Sequence, residues 1–144
     1  VTALALIPAT IIHEGPLWTI AVNRNQNLLG KTMLVLNRPC TSVVEVTSEE
    51  WMVLHDRLRV LVPTLTALFR PDQFNLAFLM NQDAHVHLHI IPRYAAFREW
   101  NGHRFDDSHW GTAFGHEQRQ LPAIELERLA TEIRNALFGT TSVT

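Results

Sequence analysis

His85-Val86-His87-Leu88-His89-Ile90-Ile91 is the stretch whose reading decides the fold. In an extended strand alternate side chains share a face, so His85, His87 and His89 point one way and Val86, Leu88 and Ile90 the other. The apolar set asks for a helix against it. The imidazole set is costly to bury without partners, so it should line a cleft or find hydrogen bonds. One face of the strand is therefore structural and the other chemical. The segment also takes three of the eight histidines in a chain with only twelve Lys and Arg.

Working outward, a strand over 74–80 precedes the triad, joined to it by roughly four residues, and Pro92 is expected to stop the triad strand. Upstream lies a helix. Thr47 stands three residues ahead of Glu50, the spacing of a capping box. Trp51, Leu54, Leu58, Leu61, Leu65 and Leu68 then advance in steps of three and four along one face, which places Trp51 in the core. Pro63 predicts a kink or two abutting helices. Earlier still, runs over 17–22 and 32–36 flank a polar loop ending in Gly30, which reads as a hairpin. Trp18 is read as packing rather than as part of a site. A short β-branched run over 10–14 leads into the Gly15-Pro16 turn. At the other end, Pro122 fits a first helical turn, with Ile124, Leu126, Leu129, Ile133 and Leu137 as its apolar stripe and Gly139 just past its end.

Residues 93–120 have no clean periodicity but hold His103, His109 and His116 with Trp100 and Trp110. Connections this long are usually functional or disordered, and the aromatics favour order. Directly after the active strand, such a segment is a candidate lid, with His103, His109 and Trp110 its most interesting residues. The element order predicts one α+β domain over 1–144 with an antiparallel sheet.

Composition narrows the function classes. The chain is 47% hydrophobic and 18% charged, with a formal charge of -2 and no basic block, so no nucleic-acid partner is expected. Cys40 is the only cysteine, which excludes an internal disulfide and fits a reducing compartment. It has no basic sequence neighbours that would activate its thiol. No apolar run approaches the ~20 residues of a spanning helix, and the start at Val1 lacks the basic region of a secretory signal. A cytoplasmic protein without a membrane partner is the expectation.

Three aligned imidazoles permit two chemistries. Metal binding is limited by geometry, because residues i and i+4 of a strand lie about 13 Å apart. A metal site would use two of the three, with His103, His109, His116 or an acid completing it. Nucleophilic catalysis fits better: imidazole forms covalent intermediates, and the middle histidine is well placed to attack phosphorus while its neighbours orient it and stabilise charged oxygens. The plain structural alternative is three satisfied histidines on a half-exposed sheet face. Strict alternation against an apolar set weighs against it. His13 and His55 read as ordinary surface histidines, and Asp106-Asp107 as a solvated loop pair rather than an ion site.

The triad segment, followed by Pro92-Arg93, resembles the signature of the histidine-triad superfamily, His-φ-His-φ-His-φ-φ with φ apolar. Val22-Asn23-Arg24 ahead of Gly30-Lys31-Thr32-Met33-Leu34-Val35-Leu36 resembles the first hairpin of that family. Arg38-Pro39 is similar to its fragile-histidine-triad branch, and Thr47-Ser48-Glu49-Glu50-Trp51 to the start of its long helix. The similarity covers about residues 17–93; beyond it the chain resembles a bacterial subgroup more loosely.

The resemblance implies a five-stranded antiparallel sheet with two helices, a homodimer, and a nucleotide hydrolase or nucleotidyl transferase. It implies that His87 attacks the α-phosphorus of a nucleoside polyphosphate or phosphoramidate, that His89 bonds the phosphate oxygens and that His85 holds the arrangement from behind. Asn23 would bind the ribose hydroxyls, since an amide offers both donor and acceptor. The family's Gly-rich loop before the triad is cut here to Met80-Asn81-Gln82-Asp83-Ala84, with Asn81 at the Gln position and Gln82 at the Ser/Thr position. Both are candidate contacts to phosphate or leaving group. No cofactor or metal is required, and Mg²⁺ enters only as the companion of a polyphosphate. A diadenosine-polyphosphate hydrolase is the leading named activity, with nucleoside phosphoramidase beside it. A slow or non-catalytic nucleotide-binding module, and a metal-dependent enzyme using two of the histidines, remain the alternatives.

Overall fold

A computed structural model describes residues 5–139. Five strands form one antiparallel sheet: β1 (Ile11–Glu14), β2 (Trp18–Val22), β3 (Thr32–Leu36), β4 (Gln73–Ala77) and β5 (His87–Arg93). Their order is β1-β2-β3-β5-β4, so the triad strand is central, held by β3 on one side and β4 on the other. Two helices, α1 (Ser48–Phe69) and α2 (Ala123–Phe138), complete the α+β architecture that the element order predicts.

Register divides the sheet into two faces. Leu88 pairs with Leu34, which pairs with Ile20, and Ile90 pairs with Thr32. Leu88, Leu34, Ile20 and Ile90 join Leu54, Leu61 and Leu65 of α1 and Leu126, Leu129 and Ile133 of α2 in one buried core. Each such leucine contributes about 2 kcal/mol on leaving water. On the opposite face His87 pairs with Val35, and His89 with Met33 and Ala77.

Pro92 does not end the triad strand. It pairs with Phe74, and Arg93 pairs with Gln73. The backbone explains the difference. Leu36 N–H bonds the Val86 carbonyl, while Asp72 N–H bonds the Arg93 carbonyl. Even-numbered positions of β5 therefore address β3 and odd-numbered ones β4. Pairing with β3 stops at Ile90, so the N–H that proline lacks has no partner to lose. Gly30 lies just beyond that point with φ 85°, and a Cβ there would stand 2.9 Å from the Phe69 ring.

The capping box forms as the spacing requires: Thr47 Oγ1 accepts from Glu50 N–H at 3.1 Å and Glu50 Oε1 accepts from Thr47 N–H at 2.9 Å. Glu50 also takes a two-pronged contact from Arg38 at 2.8 and 2.9 Å, and its backbone carbonyl accepts from the Trp18 indole at 2.8 Å. Helix α1 is a single helix through Pro63, not two. Pro63 and Arg59 both lie on the solvent side, where water can serve the carbonyl that proline leaves unbonded. Trp51 is not core. It stands 39% exposed at the edge of the stripe, its ring edge-on to Phe78 at 5.8 Å, and Phe69 is buried at the other end. Trp18, by contrast, is fully buried. In α2 the buried stripe starts at Leu126, because Ile124 in the first turn is 63% exposed.

The aperiodic segment contains a small hairpin, β6 (Arg98–Trp100) and β7 (His103–Phe105), followed by ordered coil. Arg93 anchors that coil. Its guanidinium donates to Asp107 at 2.7 and 3.2 Å, to Asn75 Oδ1 at 2.8 Å and to the carbonyls of Thr112 and His109. Asp107 is thus a buried ion-pair partner rather than a solvated acid, with a side chain only 1% exposed. Asp106 pairs with Arg104 at the surface.

Candidate active site

The chemical face of the sheet opens into a cavity of about 580 Å³, within the range of small-molecule sites. His87 and His89 line it from β5, Asn23 from the end of β2, and Asn81 and Gln82 from the short link before the triad. Five of the six residues singled out in the sequence therefore share one cavity. His85 does not line it. Strand β5 begins only at His87, and His85 sits behind it, buried, with Nε2 2.5 Å from the Leu36 carbonyl. Among the described residues its buried Nδ1 meets no hydrogen-bond partner.

Hydrogen bonds fix the ring states of the two cavity histidines. His87 Nδ1 lies 2.6 Å from the His85 carbonyl, which can only accept. Nδ1 therefore carries a proton, so in the neutral ring it is Nε2 that holds the lone pair. For His89 the partner is an amide. Asn23 Oδ1 accepts from Asn25 N–H at 2.9 Å, which sets the amide's orientation and turns Nδ2 towards His89 Nδ1 at 3.3 Å. Nδ2 can only donate, so His89 Nδ1 accepts and Nε2 carries the proton. Burial, with Lys31 and any proton on the second His87 nitrogen adding to it, pushes the His89 pKa down to about 4 and keeps the ring neutral. The rings stand 4.7 Å apart at 67°. In their neutral forms one ring offers a lone pair and the other an N–H to the cavity.

The link between β4 and β5 turns without glycine. Met80 takes φ 46°, a left-handed conformation costly for such a side chain, and Asp83 Oδ1 caps the His85 N–H at 2.9 Å. Asn81 and Gln82 stay exposed at the rim.

Of the histidines in the long segment, His116 reaches the cavity, with Gln118 and Gln120. His103, His109 and Trp110 do not; His109 pairs with Glu117 at 2.5 Å outside it. This stretch is laced to the β2–β3 loop: Asn25 Nδ2 donates to Glu117 O, Asn27 Nδ2 to Gly115 O, and Gln26 N–H to Arg119 O. It forms a fixed wall of the cavity. Sequence reasoning also passed over Lys31, Arg24 and the apolar lining of Leu6, Ile7, Val22 and Met33. For Lys31 a signal was present, a charged residue directly before a buried strand. Among the described residues no three His, Cys, Asp or Glu side chains come together as a metal-ligand set.

No protein-family model matches the sequence, and no curated protein matches it. Solved structures do. A histidine triad protein from Bradyrhizobium japonicum is 20% identical with a TM-score of 0.68, over 94% of this chain and 99% of that one. The Plasmodium falciparum diadenosine triphosphate hydrolase is 17% identical with a TM-score of 0.70, over 95% and 82%. A histidine triad protein from Marinobacter aquaeolei is 20% identical with a TM-score of 0.68, over 90% of each chain. Likeness at these identities concerns the backbone arrangement, and it agrees with what the triad strand implies: the chain has the histidine-triad fold.

Proposed function

We propose that the protein is a nucleotide hydrolase or nucleotidyl transferase that works through a covalent nucleotidyl group on His87. The observation that carries this reading is the bond from His87 Nδ1 to the His85 carbonyl, which leaves the Nε2 lone pair on the cavity side. That lone pair attacks the α-phosphorus of a dinucleoside polyphosphate or a nucleoside phosphoramidate. The bond from phosphorus to the leaving group breaks, and its electron pair departs with that group. His89 donates Nε2–H to a non-bridging oxygen as charge grows there. Water then attacks the same phosphorus and gives up a proton to the solvent, the P–N bond breaks, and His87 recovers its lone pair as the nucleoside monophosphate leaves. Asn23 is the candidate ribose contact, and Asn81 and Gln82 the candidate contacts to the leaving group. The covalent chemistry calls for no metal, and Mg²⁺ is expected only with a polyphosphate.

Mass spectrometry of the protein mixed with diadenosine triphosphate tests the reading. The expected result is an adenylyl adduct on the wild type that is absent from His87→Ala. Tight binding without adduct or product would favour a nucleotide-binding module. Activity abolished by chelators and restored only by zinc would sink the covalent route.

A homodimer belongs to the same proposal. Strand β4 is a sheet edge, and Leu76 on it is 48% exposed. Trp51 and Met52 of α1 are exposed as well, and Trp51 touches Phe78 just beyond β4. An open edge beside apolar side chains suits a second copy of the chain. Among the described residues no helix is long and apolar enough to cross a membrane.

A further inference from the structure

Lys31 stands directly before β3 on the cavity wall, only 8% exposed. Its ammonium donates to Asn27 Oδ1 at 2.8 Å, a neutral amide oxygen. Among the described residues it belongs to no ion pair. The carboxylate whose field reaches it, Glu117, is engaged with His109. On the cavity side stand the imidazoles of His89 and His87, and His89 is held neutral. A buried ammonium without a counter-ion is an unfavourable arrangement unless a ligand supplies the anion.

The position is also fixed. Asn27 is itself tied to the Gly115 carbonyl through Nδ2 at 3.2 Å, and the Lys31 carbonyl accepts from Gln26 Nε2 at 2.8 Å and from Asn23 N–H at 3.0 Å. Little side-chain freedom remains to be lost when an anion binds. With His87 in its neutral form, a lone pair on that ring and a single N–H on His89 supply one donor and no net charge. A phosphate group carries up to two negative charges and needs a cation beside it.

We propose that Lys31 binds the phosphate group of the ligand, supplying from the hairpin the positive charge that the two cavity imidazoles lack. Burial lowers its pKa to about 8, so the ammonium form still prevails at neutral pH. The proposal rests on the nucleotide reading of the cavity, and the following experiment separates the two.

Titration calorimetry of the full chain at pH 7 compares adenosine monophosphate, adenosine and pyrophosphate on wild type, Lys31→Met and Lys31→Arg. Wild type should prefer the monophosphate to adenosine. Lys31→Met should bind the monophosphate about 10- to 100-fold more weakly and adenosine unchanged, while Lys31→Arg keeps most of the preference. Removing a desolvated charge should leave the urea midpoint of Lys31→Met no lower than that of wild type. Lys31→Gln is the second neutral variant should the first fail to fold. A preference for the monophosphate that survives in Lys31→Met and Lys31→Gln overturns the role of Lys31 and leaves the nucleotide reading standing. Pyrophosphate binding that needs Lys31, without binding of nucleoside or nucleotide, supports Lys31 and sinks the nucleotide reading. No binding of any of the three overturns both.

Discussion

Asn23 and Lys31 face each other across the neck of the β2–β3 hairpin, the Asn23 N–H donating to the Lys31 carbonyl at 3.0 Å. The fully buried amide of Gln26 closes the ring between them. Its Nε2 donates to Asn23 O at 2.7 Å and to Lys31 O at 2.8 Å, while Oε1 accepts from Gly30 N–H at 3.0 Å. One side chain outside the cavity lining thus sets the spacing of two cavity residues. Gln26→Leu, similar in volume, leaves these buried groups short of partners and should cost about 2–4 kcal/mol in urea unfolding. The same variant should bind adenosine monophosphate several-fold more weakly at temperatures where it is fully folded. Unchanged stability and affinity would remove Gln26 from this role.

The amide of Asn23 holds His89 in its Nε2–H form. Asn23→Asp replaces a donor facing His89 Nδ1 with an acceptor and adds a negative charge beside the ring. A carboxylate favours the imidazolium, so the His89 pKa should rise from about 4 by more than one unit. Nitrogen-15 chemical shifts of labelled histidine, followed against pH, measure this directly. The sign also reaches stability. The native pKa of His89 lies below its unfolded value near 6.5, so its contribution is full above pH 6.5 and fades as pH falls towards 4. Asn23→Asp should narrow that window.

Much of this was legible in the sequence because it depends on local patterns. Alternation in residues 85–91 dictates a strand with one apolar face, and Thr47 with Glu50 dictates a capped helix start. The rest depends on long-range facts that periodicity does not carry. Pro92 continues a strand because β3 has already ended at Thr32. Trp51 lies outside the core because the buried stripe of α1 begins at Leu54. His85 obeys the alternation in sequence but precedes the strand, and so lies behind the cavity rather than in it. His116 reaches the cavity where His103 and His109 do not, since only the stretch around 115–120 is laced to the β2–β3 loop. Lys31 was visible as a charge directly before a buried strand, but its importance comes from the lack, among the described residues, of a carboxylate paired with it.

Arg93 and Asp107 join the coil after β7 to the triad strand, both nearly without exposure. Burial pushes the Asp107 carboxyl up, and the Arg93 guanidinium with the N–H groups of Tyr94 and His109 outweighs it, leaving the group below its ordinary range. Removing the cation strands the carboxylate. Arg93→Met should therefore lose about 3–5 kcal/mol in urea unfolding, and Arg93→Met with Asp107→Leu together should lose less than Arg93→Met alone. A double variant as unstable as the sum of the two singles would show that the ion pair is not the anchor.

Glu50 should give the fold a sensitivity to acid. The Arg38 contact, with the Thr47 bonds adding to it, holds its carboxyl at about 2, against 4.5 for an unperturbed glutamate. A depressed carboxyl stabilises the fold fully above pH 4.5, and that contribution is lost as pH falls through about 2. Arg38 is 43% exposed and therefore screened, so Glu50→Gln should cost only about 1 kcal/mol at pH 7. Thermal melts of the two proteins should converge as pH is lowered from 4.5 towards 2. A gap that stays constant over that range would assign the loss to packing rather than charge.

The edge of β4 supplies the last prediction. A charge at Leu76 would sit on the exposed edge strand, where a second copy would have to desolvate it. Leu76 is 48% exposed in the single chain, so Leu76→Arg should leave the monomer's stability within about 0.5 kcal/mol of wild type. In a dimer built on this edge the same change buries an unpaired guanidinium in each half of the interface, a penalty large enough to dissociate it. Light scattering behind size exclusion should then give twice the 16.4 kDa chain mass for wild type and a single chain mass for Leu76→Arg. A wild type that elutes as a monomer at micromolar concentration, or a variant that stays dimeric, would rule this edge out as the interface.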